Sequence, residues 1–142
     1  MLRVYVTAIS GIFLLLATLE WMPWMNTCGA HAPGRLDPER VNVQIIGDSI
    51  SKGMMRNAHY PENWAVFHPG ASVTGGCKNT EHGLKCLSKW LGAHHWDIII
   101  LNFGLHDIGL DYEHVKLNTY VENLRNILQG LKRYGTTVFW VS

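Results

Sequence analysis

Ile98-Ile99-Ile100-Leu101 is the stretch that most restricts what this chain can become. Four consecutive apolar residues, three of them β-branched, leave an extended strand no wet side, so both of its faces have to be covered. That is the environment of a parallel sheet between helical layers. Val41 to Ile46, Trp64-Ala65-Val66-Phe67 and Thr136 to Val141 read as three further strands. The segments between them carry helical signals. One helix is expected from Ser49 to about His59, stopped by Pro61. A second is expected from Thr80, its cap, to about Leu91, with Leu84, Leu87, Trp90 and Leu91 at helical spacing. The longest is expected from about Tyr112 to Arg133, closed by Gly135. Its apolar stripe is Leu117, Tyr120, Val121, Leu124, Ile127, Leu128 and Leu131. Strand–helix alternation predicts a doubly wound, flavodoxin-like three-layer α/β/α sandwich with a parallel sheet and right-handed crossovers. Ligands in such sheets bind at the carboxyl ends of the strands.

The first strand runs straight into Gly47-Asp48-Ser49-Ile50-Ser51-Lys52-Gly53. Asp48 and Ser49 are residue types that start helices. A strand feeding a helix through this turn puts a serine hydroxyl at the carboxyl end of the sheet, where the helix N-terminus favours negative charge. That suits a nucleophile whose reaction develops an oxyanion. The same letters also describe a capped turn without chemistry.

A second stretch favours the chemical reading. Gly47-Asp48-Ser49-Ile50 resembles the first block of the SGNH, or GDSL, family of serine esterases and lipases. The α/β-hydrolase elbow G-x-S-x-G is absent around Ser49. Trp96-Asp97-Ile98-Ile99-Ile100-Leu101-Asn102-Phe103-Gly104-Leu105-His106-Asp107-Ile108 resembles that family's third block, a strand followed by Gly-x-Asn-Asp, with His106 in the asparagine position. The blocks stand in the family's order, each at the end of an expected strand, and the resemblance covers Val41 to Ser142.

The resemblance implies an SGNH hydrolase fold and an acyl-enzyme mechanism with Ser49 as nucleophile. It implies three oxyanion donors: the Ser49 backbone N–H, a glycine N–H from a second block, and the side chain at position 106. Gly75 and Gly76 are both candidates for that glycine, with Gly76 preferred, and the equivalent can also lie elsewhere in Val73–Asn79. A histidine ring N–H can donate where asparagine would; His106 can equally cap a turn. Gly104 and Asp107 are expected to shape the loop, and Asp48 to cap or brace the turn. The family's general base is a histidine in an Asp-x-x-His block near the end of the domain. No such pair lies in the C-terminal part of this chain, and the expectation is that the chain stops short of it. Asp111-Tyr112-Glu113-His114 has the spacing but directly follows the third block. His68, His82, His94 and His95 are expected mostly on loops or helix surfaces, with His94-His95 at the amino end of a strand.

Other features bound the function. Among 142 residues, 47% are apolar and 16% charged, enough for one folded domain. A net charge of +1 gives no electrostatic case for nucleic acid. Arg3 precedes an uncharged apolar run, Val4 to Leu19, the pattern of a secretory signal, with small residues before a cleavage point after Ala30. The alternative is a membrane anchor, with Trp21 and Trp24 at the interface. Gly29 to Arg40, with Pro33, Gly34 and Pro38, reads as a linker. The resulting division is 1–30 leader or anchor, 31–40 linker and 41–142 hydrolase-type domain, facing a non-cytosolic compartment. Cleavage after Ala30 removes Cys28 and leaves Cys77 and Cys86, either disulfide-bonded or as two separate buried thiols. No metal-ligand spacing occurs, so neither a metal nor an organic cofactor is expected. The leading expectation is an ester hydrolase acting on short-acyl, acetyl-type esters of small molecules or polysaccharides. A catalytically dead relative that binds an acylated or carbohydrate ligand is the first alternative. A non-enzymatic interaction domain is the second.

Overall fold

The computed structural model of the chain describes residues 8–9, 12–13, 28–29, 31–69, 77–109, 114–134 and 137–141. Two short strands, β1 (Ala8–Ile9) and β2 (Ile12–Phe13), pair antiparallel. The rest of the apolar run that reads as a leader or anchor lies outside the described residues. Among the described residues no helix is long and apolar enough to cross a membrane.

The domain is built on β3 (Val41–Gly47), β4 (Trp64–Phe67), β5 (Ile98–Asn102) and β6 (Thr137–Trp140). They form one parallel sheet in the order β4-β3-β5-β6. Three helices connect them: α1 (Ser49–Asn57), α2 (Thr80–Leu91) and α3 (Leu117–Lys132). This is a small α/β fold with the strand–helix alternation of a doubly wound protein. The sequence expects β5 to be covered on both sides; Ile99 and Leu101 are fully buried on one face, whereas Ile98 and Ile100 on the other are half-buried. Ile46, Ile99, Leu101 and Phe103 join Leu87, Trp90, Leu91, Ile127 and Leu131 of α2 and α3 in the main core. Val43 and Ile45 point to the opposite face and are fully buried. Gly47 lies on that second face too, since a Cβ placed there would meet Ser51 Oγ of α1 at 2.7 Å.

Gly47 is required by close approach. The same Cβ would fall 2.3 Å from the Asn102 carbonyl oxygen, its register partner on β5. The two strands therefore touch backbone to backbone where they leave the sheet.

Several boundaries differ from the sequence reading. α3 begins at Leu117, not Tyr112. His114–Lys116 stay irregular because Val115 is buried and its N–H donates to the Asp107 carbonyl at 2.8 Å, holding the chain back against the preceding loop. Leu117 and Leu128, expected in the buried stripe, are exposed, whereas Asn123 is buried. α2 is capped by Asn79, whose side chain accepts from His82 N–H; Thr80 is the first helical residue.

The cysteines pair differently from either sequence alternative. Cys86 is bridged to Cys28, and Cys77 is a buried thiol. The bridge holds the segment that reads as a linker down on α2. Trp90 Nε1 donates to the Cys28 carbonyl at 2.6 Å, Ala32 N–H donates to the Lys89 carbonyl at 3.0 Å, and Leu36 packs on the core. Spacing alone could not show this, because the partners are 58 residues apart. Cleavage between Ala30 and His31 would cut the backbone between Cys28 and the domain and leave the disulfide as the link between them.

Two measurements check these points. Gly47→Ala should cost about 2–3 kcal/mol of unfolding free energy in urea, because backbone cannot yield as a side chain does. Non-reducing peptide mapping should recover a Cys28–Cys86 peptide pair with Cys77 alkylatable only after unfolding. Reduction should then lower stability by about 4 kcal/mol, as expected for a loop of that length.

Candidate functional site

β3 and β5 are adjacent and parallel, and Gly47 is in register with Asn102. The two motif stretches therefore leave the sheet side by side at its carboxyl edge. Asp48 is the N-cap of α1, and its Oδ1 accepts from Ile50 N–H at 2.8 Å. The cap fixes Ser49 as the first helical residue, exposed to solvent. No described residue accepts a hydrogen bond from its hydroxyl.

The neighbouring serine is held differently. Ser51 is fully buried, its hydroxyl donates to the Asp48 carbonyl at 2.8 Å, and His68 Nε2 lies 3.0 Å from the same oxygen. Which of the two donates in the Ser51–His68 contact is set by the tautomer of the ring. This chain of contacts ties the end of β4 to the turn that carries Ser49. Burial, followed by the positive charges of Lys52 and Arg56, pushes His68 down to about 4, so the ring is neutral near pH 7. The sequence reading put His68, His82, His94 and His95 mostly on loops or helix surfaces and gave His68 no partner; it is buried. Its position directly after a strand, at the carboxyl edge, was the available signal.

The β5–α3 loop carries the other candidates. Gly104 sits at φ +144°, a conformation that side chains rarely adopt. Ile108 N–H donates to its carbonyl at 2.9 Å and closes a turn over Leu105–Asp107. His106 is half-buried in that turn. Asp107 is fully buried and serves the loop: it accepts from Thr80 N–H at 3.0 and 3.2 Å and from Thr80 Oγ1. Asn123 Nδ2 of α3 donates to the same Thr80 oxygen at 3.1 Å. Tyr120 adds a bond from its hydroxyl to the Phe103 carbonyl at 3.2 Å. Its ionisation is pushed above the usual phenol range, by burial first and by Asp107 second.

Gly75 and Gly76 lie outside the described residues. Cys77, the first described residue after them, donates its N–H to the Gly47 carbonyl at 2.7 Å, so the exit of that loop is fixed at the end of β3. Lys78 follows at φ +58°, a conformation uncommon for a non-glycine residue and costing on the order of 1–2 kcal/mol. Asn102, which the sequence reading did not single out, donates Nδ2 to the Val141 carbonyl at 3.0 Å, while its buried Oδ1 has no partner among the described residues.

The remaining histidines sit elsewhere. His114 is exposed in the approach to α3, and Asp111 lies outside the described residues. His94 Nε2 contacts the Pro33 carbonyl at 2.5 Å and its ring packs edge-on against Trp96, at the amino end of β5. Among the described residues no three His, Cys, Asp or Glu side chains converge as metal ligands would. No protein-family model, curated protein or solved structure matches the chain.

The His68 environment has a pH signature. A histidine at 6.5 when unfolded and about 4 when folded contributes stability that is complete above pH 6.5 and is lost as pH falls towards 4. Between pH 7.5 and 4.5 the loss assigned to this group is about 2 kcal/mol. It should appear as the difference between wild type and His68→Asn in urea unfolding at the two pH values.

Proposed function

We propose that this chain is an ester hydrolase of the SGNH type, with Ser49 as nucleophile and an acyl-enzyme intermediate. The observation that carries the proposal is the pairing of β3 with β5. It sets Gly47-Asp48-Ser49-Ile50 beside Gly104-Leu105-His106-Asp107 on one edge of a parallel sheet, as the two sequence blocks require. Ser49 at a capped helix N-terminus is exposed, so an ester carbonyl can reach it. The Ser49 N–H and the His106 ring then supply two oxyanion donors, and a glycine N–H at Gly75 or Gly76 the third. Ser51 is excluded as nucleophile by its burial and by the carbonyl that holds its proton. Asp48 and Asp107 are positioning residues: one caps α1, the other pins the His106 turn to α2. The substrate class in this reading is short-acyl esters of small molecules or polysaccharides, met outside the cytosol.

A binding domain of the same ancestry is the second reading. It is favoured by one observation, that no described residue takes the Ser49 hydroxyl proton.

The test is hydrolysis of 4-nitrophenyl acetate combined with fluorophosphonate labelling and peptide mapping. Labelling at Ser49, with activity lost in Ser49→Ala and retained in Ser51→Ala, is the expected result. His106→Ala should lower kcat about a hundredfold, equivalent to one oxyanion donor at about 3 kcal/mol. Absence of both turnover and labelling in a folded protein would favour the binding domain.

A further inference from the structure

Four of the seven large apolar side chains exposed among the described residues stand at one edge of the molecule, around the candidate site. Ile50 is 51% exposed, Leu105 53%, Ile108 72% and Leu117 74%. The other three are Phe139 and Trp140 on the edge strand β6, and Leu128, eleven residues further along α3 than Leu117. Single exposed apolar residues are ordinary on a protein surface, whereas a cluster marks a place where something binds.

The topology brings the four together. Gly47 and Asn102 are register partners at the ends of β3 and β5, and Ile50 and Leu105 each lie three residues beyond them. Ile50 directly follows Ser49 in the first turn of α1. Leu105 directly precedes His106, and Ile108 closes the same turn through its N–H to the Gly104 carbonyl. Leu117 opens α3, two residues after Val115, whose N–H is tied to the Asp107 carbonyl. Ser49 and His106 are therefore both flanked by aliphatic side chains that face water.

The fold does not call for aliphatic groups at these positions. The α1 turn is held by the Asp48 cap and the β5–α3 loop by the buried Asp107. Polar side chains would serve equally well there, and large aliphatic ones keep apolar area in water instead. The reaction supplies a use for them. An ester attacked by Ser49 has its carbonyl between the α1 N-terminus and the His106 turn. With a short acyl part, it is the alcohol part that extends over the edge. There it meets isoleucine and leucine, which offer no partner to the hydroxyls of a sugar but gain from covering methylene groups.

We propose that Ile50, Leu105, Ile108 and Leu117 form an apolar rim that selects esters of aliphatic alcohols over esters of sugars and other polyhydroxy alcohols. The inference rests on the ester-hydrolase reading and narrows its substrate class. The rim binds the alcohol chain and takes no part in proton transfer or in holding the oxyanion.

Hexyl acetate and the monoacetate of diethylene glycol are matched probes, equal in chain length, the first with an apolar alcohol part and the second with a polar one. Acetate release is followed in a pH-stat at concentrations where both are dissolved, alongside fluorophosphonate labelling of Ser49. The expected result is a kcat/KM about tenfold higher for hexyl acetate, the effect of covering about two methylene groups. Leu105→Ser and Ile108→Ser, both at exposed positions, should each lower that ratio about threefold. Leu128→Ser, on the distant part of α3, should leave it as it is. Labelling at Ser49 with equal kcat/KM for the two esters overturns this inference and leaves the hydrolase reading standing. So does a ratio that the two rim variants do not move. Neither turnover nor labelling overturns both. A hexyl acetate rate that rises only once droplets form assigns the rim to a lipid surface, and that too overturns the inference.

Discussion

A buried carboxylate holds the carboxyl edge of this protein together. Asp107 is fully enclosed, and its oxygens are spent on the first amide and the hydroxyl of α2. A carboxylate at a helix N-terminus is favourably placed, because the helix has unpaired N–H groups there and a positive dipole end. Three separate elements are tied through this point: the loop after β5, the start of α2 and, through Asn123, α3. The His106 turn is rigid because its next residue is the anchor. Remove the anchor, and α2 loses a capping partner while the loop loses the hydrogen bonds that tie it to that helix. Val115 adds a second hold through the Asp107 carbonyl, which explains why α3 starts late.

The two serines of the first turn show how local packing assigns roles that letters cannot. Ser49 and Ser51 are two residues apart on one helix and so face about 200° apart. One faces solvent over the edge of the sheet. The other faces β3, where the missing side chain of Gly47 makes room for it. Gly47 thus allows two close approaches at once, the Asn102 backbone on one side and the Ser51 hydroxyl on the other. The buried network of Asp48, Ser51 and His68 braces the turn below Ser49.

Much of the framework was legible in the sequence because it depends on short-range patterns. Apolar runs marked every strand of the main sheet, and their unbroken character marked the sheet as parallel. Asp48 as a cap and Asp107 as a loop brace followed from residue type and position. What escaped the reading depends on partners far away in the chain. Asn123 is buried because Thr80 needs a donor, and nothing in the helical stripe says so. Leu117 and Leu128 fit the apolar period but fall where no neighbour covers them. The Cys28–Cys86 bridge and the His68–Ser51 contact join residues 58 and 17 positions apart, separations that periodicity does not register. Gly75 and Gly76 sit in a turn-rich stretch whose spacing fits several alignments.

The covalent bridge has a mechanical consequence. Tension applied to the chain ahead of Cys28 would enter the domain at Cys86, in the middle of α2, through a sulfur–sulfur bond. From there it spreads into the main core through Leu87, Trp90 and Leu91. β3, the next strand along the backbone, is bypassed: it lies inside the covalent ring and carries no load while the bridge holds. A pull on the amino end would thus leave the Ser49 turn undisturbed, whereas after reduction the same pull would act first on the edge of β3.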